Sequence, residues 1–252
     1  MADLTEINRK HFDDVASSHQ NNFETLIAQA IYELQVRRHW ISPKWVDTIT
    51  DKDLHDGIRL LDYACGSGTA SKALAPFVTS TIGIDLSANM VTEYNNTARE
   101  MGLFPERMRG YQCDLLSGDL DPKVGLPDGV LEKFDIIVIG MALHHVSDPG
   151  ALLEKLKELL KPGGVVVVLD MVPDQVPSVP EHDLEGLESQ QLNSLKTIGK
   201  HGFTENEMRE FYESAGISAA FEYVVIKEEF RLRLFGREVR VTGFIARGQL
   251  TE

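Results

Sequence analysis

The sequence predicts an α/β fold built on a doubly wound, mostly parallel sheet, and three observations carry that expectation. Short β-branched or apolar runs alternate with longer segments of helical period. One of these runs, "VVVVLD" at 165–170, is apolar up to its last residue, as a strand covered on both faces must be. The stretch "YACGSGTAS" then gathers small residues between the first run and the first helical segment, where sheets of this kind meet their ligands.

Taken in order, candidate strands cover 58–63, 81–85, 109–113, 134–140 and 165–170, and helical patterns cover 71–77, 88–101 and 150–160. The last helix shows Leu152, Leu153, Leu156, Leu159 and Leu160 at helical spacing and is expected to stop at Pro162-Gly163-Gly164. Before the first strand, Phe23, Leu26, Ile27, Ala30, Ile31 and Leu34 line one face of a further helix over 23–39. After the fifth strand, Pro173, Pro177 and Pro180 interrupt any period. The segment 174–203 therefore reads as a long loop of the kind that forms mobile lids, ending in His201 and Phe203. Thr204 and Glu207 stand at capping-box spacing and open a helix over 204–215. The tail alternates well enough for two strands meeting near Phe235 and Gly236, an antiparallel terminal hairpin. A chain of 252 residues with 42% apolar side chains is read as one domain: a helical cap (1–57), a core (58–172), the lid (173–203) and a C-terminal helix with hairpin (204–252).

Composition narrows the function. A net charge of −14 argues against a nucleic-acid partner, because phosphate contacts rest on Lys and Arg. Two cysteines, Cys65 and Cys113, make no disulfide framework, and no CxxC or HExxH spacing suggests a metal. The first residues, "MADLTEINRKHFDD", are charged, and no apolar run is long enough for a membrane span, so the expected compartment is the cytoplasm.

Glycine loses more backbone entropy on folding than any other residue and packs nothing. Gly66 and Gly68 therefore imply a backbone that something approaches closely, with the unpaired N–H groups of the next helix alongside. Asp85 closes the second strand, where a carboxylate can accept from both hydroxyls of a ribose. A dinucleotide site needs GxGxxG, and Ser71 stands where the third glycine belongs.

With these motifs in place, the segment from about 58 to about 170 resembles the class I S-adenosylmethionine-dependent methyltransferases. "LLDYACGSG" is similar to their first motif, with Ala64 in place of its first glycine, and "IGIDLS" to their ribose loop. "YQCDLLSG" resembles the adenine-side acidic turn, "FDIIVIGMALHHVSDP" the fourth strand and its turn, and "LKPGGVVVVLD" the approach to the fifth strand. The resemblance implies a seven-stranded Rossmann-like sheet and S-adenosylmethionine as cofactor. Asp62, Ala64 and Gly66 would then face the methionine end, Asp85 the ribose, Leu86 and Met90 the adenine ring, Asp114 and Leu115 the adenine edge, and Met141 the sulfonium.

Methyl transfer needs alignment and exclusion of water, and a base only when the acceptor arrives protonated. The candidate bases are His144, His145 and His201; adjacent histidines on a short turn are expected to send at most one ring towards a ligand. The opening segment "HFDDVASSHQNNFE" resembles the first helix of the small-molecule branch, including quinone-biosynthesis C-methyltransferases, with Phe12 and His19 as possible lining residues. No Asn/Asp-Pro-Pro-Tyr/Phe sequence follows the fourth strand. The expected activity is methyl transfer to a small-molecule acceptor, its acceptor atom left open, by a monomer or homodimer. A cofactor-binding protein that transfers nothing is the alternative, and a nicotinamide-dependent oxidoreductase is disfavoured by Ser71.

Overall fold

The computed structural model describes residues 3–46, 57–117, 126–173, 194–234 and 237–251. Its main sheet has seven strands in the order β3-β2-β1-β4-β5-β9-β6. They are β1 (Arg59–Tyr63), β2 (Ser80–Asp85), β3 (Met108–Gln112), β4 (Phe134–Gly140), β5 (Leu160–Met171), β6 (Ala219–Val225) and β9 (Gly243–Gln249). The first five run parallel, while β9 is antiparallel to both β5 and β6. Strand order reverses at β1, which lies between β2 and β4, so the carboxyl ends of these strands frame a crevice at the switch point.

Side-chain alternation divides the core. Leu61, Ile137, Ile139, Val166 and Val168 face one way, against Leu152, Leu153 and Leu156 of α6 (Pro149–Glu158) and Met208 and Tyr212 of α7 (Glu205–Ser214). Leu60, Ile136, Val138, Val165 and Val167 face the other. There they meet Ala30 and Leu34 of α2 (Glu24–Val36) and Ala70, Ala73 and Leu74 of α4 (Thr69–Leu74). The leucines of α6 are fully buried, each contributing roughly 1.5–3 kcal/mol from removal of apolar surface from water. Between β2 and β3 on one side and α5 (Ala88–Glu100) on the other lies a smaller cluster of Cys65, Tyr94, Ala98 and Met108.

Three elements differ from the sequence expectation. The helix before the fifth strand ends at Glu158, and Lys161-Pro162-Gly163-Gly164 lies inside β5, where the register against β4 shifts between Phe134 and Ile136. The glycines there form an irregularity in a strand as well as a stop for a helix. The tail forms four strands instead of two: β7 (Phe230–Leu234) and β8 (Arg237–Val241) make the expected hairpin as a separate sheet, and β6 and β9 extend the main one. The amino-terminal cap holds α1 (Leu4–Asn22) before α2, broken at Phe23, and a short α3 (Arg38–Ile41) after it. Of the expected lid, 174–193 lies outside the described residues. Its end packs down: Gly199 and Lys200 donate their backbone N–H to the His144 carbonyl at 2.9 and 3.2 Å. Phe203 is fully buried with its N–H on the Met171 carbonyl, a core residue and not a closing group.

Candidate functional site

At the switch point, a cavity of about 1080 Å³ opens between the carboxyl ends of β1, β2 and β4 and helices α1 and α2. That is just above the roughly 300–1,000 Å³ of a small-molecule site. Asp62, Ala64, Gly66, Asp85, Leu86, Met90, Asp114, Met141, His144, His145 and His201 all border it.

The glycine turn is left-handed in three places, with φ of 50° at Ala64, 49° at Gly66 and 89° at Gly68. The two glycines serve different ends. A Cβ on Gly66 would meet nothing within 4 Å, so this is the position at which a ligand can approach the backbone. A Cβ on Gly68 would come to 3.2 Å from the Tyr94 ring and 3.3 Å from Met108. Gly68 therefore makes room for Tyr94 and stands behind the wall; Leu115, buried in the core, also lies outside the lining. The expectation that both contact the ligand changes accordingly. Ser71, at the third glycine position, accepts from Tyr94 Oη (2.7 Å) and donates to Asp62 Oδ2 (2.7 Å), which also accepts the Ser71 N–H at 3.0 Å. Burial pushes the Asp62 carboxyl up to about 7 against these hydrogen bonds.

Asp85 sits half-buried at the end of β2. Its Oδ2 accepts the Gly66 N–H and its Oδ1 the Ser87 N–H, both at 2.9 Å. The carboxylate is thereby fixed across the turn with lone pairs to spare, and removal from water raises it to about 6. Ser87 caps α5 by accepting from Met90 N, while Asp114 Oδ1 accepts the Leu116 N–H at 2.9 Å, closing a turn that faces the cavity.

Met141 follows β4 with φ of 54°, strained for a non-glycine residue. Both histidines after it border the cavity, and their rings tilt by 42° with centroids 4.0 Å apart. His144 Nδ1 lies 2.8 Å from Asp170 Oδ1, and His145 Nδ1 lies 2.9 Å from the Thr197 carbonyl. Burial holds His145 well below the ordinary imidazole range. His201 is exposed at the rim.

Helix α1 roofs the cavity and is tied to it at two points. Asp13 Oδ1 accepts from Ser87 Oγ (2.6 Å) and Asn89 N (3.1 Å), and Asn8 donates to the His145 carbonyl at 3.0 Å. Phe12 meets the His145 ring edge-on at 5.1 Å; His19, expected with it, also borders the cavity, half-buried and lowered to about 4 by desolvation. Sequence reasoning missed Asp13, Asn8 and Asp170. Asp170 had a readable signal, a carboxylate ending an apolar strand at the same sheet edge as Asp85.

Residues 32–222 match the family model of a methyltransferase domain. An uncharacterised methyltransferase of Schizosaccharomyces pombe is 28% identical over 241 residues, spanning 87% of this chain and 82% of that protein. A ubiquinone biosynthesis O-methyltransferase of Cereibacter sphaeroides is 30% identical over 141 residues, 51% of this chain and 52% of its own length. Among solved structures, an S-adenosylmethionine-dependent methyltransferase from Anabaena variabilis superposes with a TM-score of 0.67 at 17% identity, over 99% of this chain and 96% of that one. Magnesium protoporphyrin IX methyltransferase from Synechocystis, with bound S-adenosylhomocysteine, gives 0.60 at 16%, over 99% and 100%. These two likenesses establish the fold.

Proposed function

The chain belongs to the methyltransferase-domain family, and from that premise we propose that it moves the methyl group of S-adenosylmethionine to a small, partly apolar acceptor. The observation that carries this reading is the division of one cavity. A fixed carboxylate, Asp85, and an open backbone position, Gly66, stand at one end; Met141 and two histidines stand at the other.

The described residues fit the cofactor. Asp85 has lone pairs left for two ribose hydroxyls, Leu86 and Met90 supply apolar surface for a purine, and Asp114 faces the cavity for its amino group. Asp62 has one oxygen outside its bonds to Ser71 and supplies negative charge for the ammonium. When bound, S-adenosylmethionine supplies a methyl group already activated by its sulfonium. The chain's work is then to align the acceptor and keep water out. Phe12, which meets the His145 ring, adds apolar surface beside the histidines, and Phe23, Leu26 and Leu232 add more to the cavity lining. Among the described residues no helix is long and apolar enough to cross a membrane. The same reading takes the chain as one methyltransferase domain working in the cytoplasm on a small molecule, with no nucleic-acid partner.

Equilibrium binding tests the cofactor assignment. S-adenosylmethionine and S-adenosylhomocysteine should bind in the micromolar range of about −8 kcal/mol while NAD does not; binding of NAD alone would overturn the assignment.

A further inference from the structure

We propose that Asp170 is a positioning residue that holds His144 as the general base for an acceptor hydroxyl, and that the neighbouring His145 serves as a neutral hydrogen-bond acceptor only. This rests on the methyl-transfer reading above.

The geometry separates the two rings. Asp170, the penultimate residue of β5, has no exposure to solvent, and its two oxygens accept from His144 Nδ1 (2.8 Å), His144 N (3.2 Å) and Met171 N (2.7 Å). A carboxylate only accepts, so Nδ1 of His144 carries a proton, and in the neutral ring Nε2 is left with the lone pair. The Thr197 carbonyl also only accepts, so His145 has the same tautomer. The rings differ once a proton is taken up. On His144 the new imidazolium lies against a buried carboxylate, a favourable pair in a site removed from water. On His145 it would face a carbonyl, the His144 ring and the Phe12 ring, with no counter-charge against it among the described residues. Around this end stand His11 and His19 of α1, Arg9 and His201, with Asp14 close to His11 and Tyr223 close to Asp170; burial holds His11 and His19 below the ordinary imidazole range.

The same inventory points to the acceptor. The carboxylates among the described lining residues are Asp62, Asp85 and Asp114, all at the glycine-turn end. Among the described residues lining it, an ammonium acceptor finds no carboxylate beside the histidines, whereas a neutral hydroxyl finds a base. The class that fits is a phenol or enol on an apolar body. In the step, the O–H proton passes to His144 Nε2 and the oxygen forms the new O–CH3 bond. The S–CH3 bond breaks with its electron pair staying on sulfur, leaving neutral S-adenosylhomocysteine; the imidazolium then returns its proton to solvent.

Two readouts test this. In protein labelled with 15N-histidine and saturated with S-adenosylhomocysteine, NMR should show His144 with a downfield Nδ1 proton and bare Nε2, assigned by its loss in His144→Gln, and Asp170→Asn should mix the tautomers. A proton on Nε2 in the parent, or no response to Asp170→Asn, overturns the pairing. In turnover on a small-molecule extract with methyl-labelled cofactor, the product should carry O–CH3. His144→Gln should lose about 10²–10⁴-fold, and Asp170→Asn about 10²-fold or more. Both losses should shrink as pH approaches the acceptor's own pKa, which a merely structural defect would not show. Labelled amines or thiols alone, or a loss equal at all pH, overturn the base assignment. A protein that binds cofactor and labels nothing overturns the transferase reading itself, while the tautomer still judges Asp170.

Discussion

Replacing Asp85 by Asn isolates what the carboxylate does for the cofactor. In the wild type one oxygen accepts from Gly66 N and the other from Ser87 N, each at 2.9 Å. An amide has one oxygen and one NH2, so in Asp85→Asn one of these N–H groups must face another donor. The glycine turn loses one anchor, and the ribose loses a charged acceptor. Hydrogen bonds to a charged group contribute about 1.5–3 kcal/mol, which converts to roughly a 10- to 150-fold weaker Kd. Titration calorimetry with S-adenosylhomocysteine at mildly alkaline pH, where the carboxylate is ionised, reads this directly. The free carboxyl titrates at about 6, and hydroxyl donors favour its charged form, so binding lowers that value. Wild-type affinity must therefore fall as pH drops through about 6, by up to about tenfold per unit for this group, and the variant must lose that part of the slope. A folded variant with an unchanged Kd, or with the full wild-type slope, would refute the ribose assignment.

Gly83→Ala places a Cβ 2.6 Å from the Tyr94 ring, and chemical denaturation should show a loss of about 1–3 kcal/mol from overpacking. Gly66→Ala meets open space, so its stability loss should stay near the roughly 1–2 kcal/mol of a left-handed side chain while cofactor affinity falls. Asp13→Ala removes the acceptor for Ser87 Oγ and Asn89 N. Hydrogen exchange in α1 should quicken in the variant, and in the wild type it should slow on adding S-adenosylhomocysteine; an indifferent α1 would mean that it is no roof. His19 is lowered to about 4 in the folded chain from 6.5. Its stabilising share is thus complete above 6.5 and drains away as pH falls towards 4, at up to about 1.4 kcal/mol per unit. His19→Gln should flatten urea-midpoint profiles in that window, and an unaltered profile would contradict its burial as a neutral ring.

The parallel core was legible because its strands are continuous β-branched runs and its helices carry leucine at the right period. The tail was less so. β6 and β9 are separated in sequence by the hairpin β7–β8, and only the tertiary structure shows that they pair with each other and with β5. Gly68 shows a second limit: a glycine that admits a ligand and one that admits a tyrosine look alike until the Tyr94 ring is placed. Asp62, Asp85 and Asp114 could be picked out by position alone. Asp13 could not, and Asp170 could be placed at the sheet edge but not paired, because their partners, Ser87 and His144, are distant in sequence and the pairing depends on α1 crossing the sheet edge and on β4 lying beside β5.

Transfer of the labelled methyl group tests the central claim most directly. The chain, S-adenosylmethionine labelled in its methyl carbon and a small-molecule extract are incubated together, and label is counted in the extract against S-adenosylhomocysteine formed. The account predicts one molecule of S-adenosylhomocysteine for each methyl found in a small organic product, with the yield strongly reduced in Asp85→Asn at limiting cofactor. Saturable cofactor binding with no label leaving S-adenosylmethionine would contradict it and leave a protein that holds the cofactor without using it.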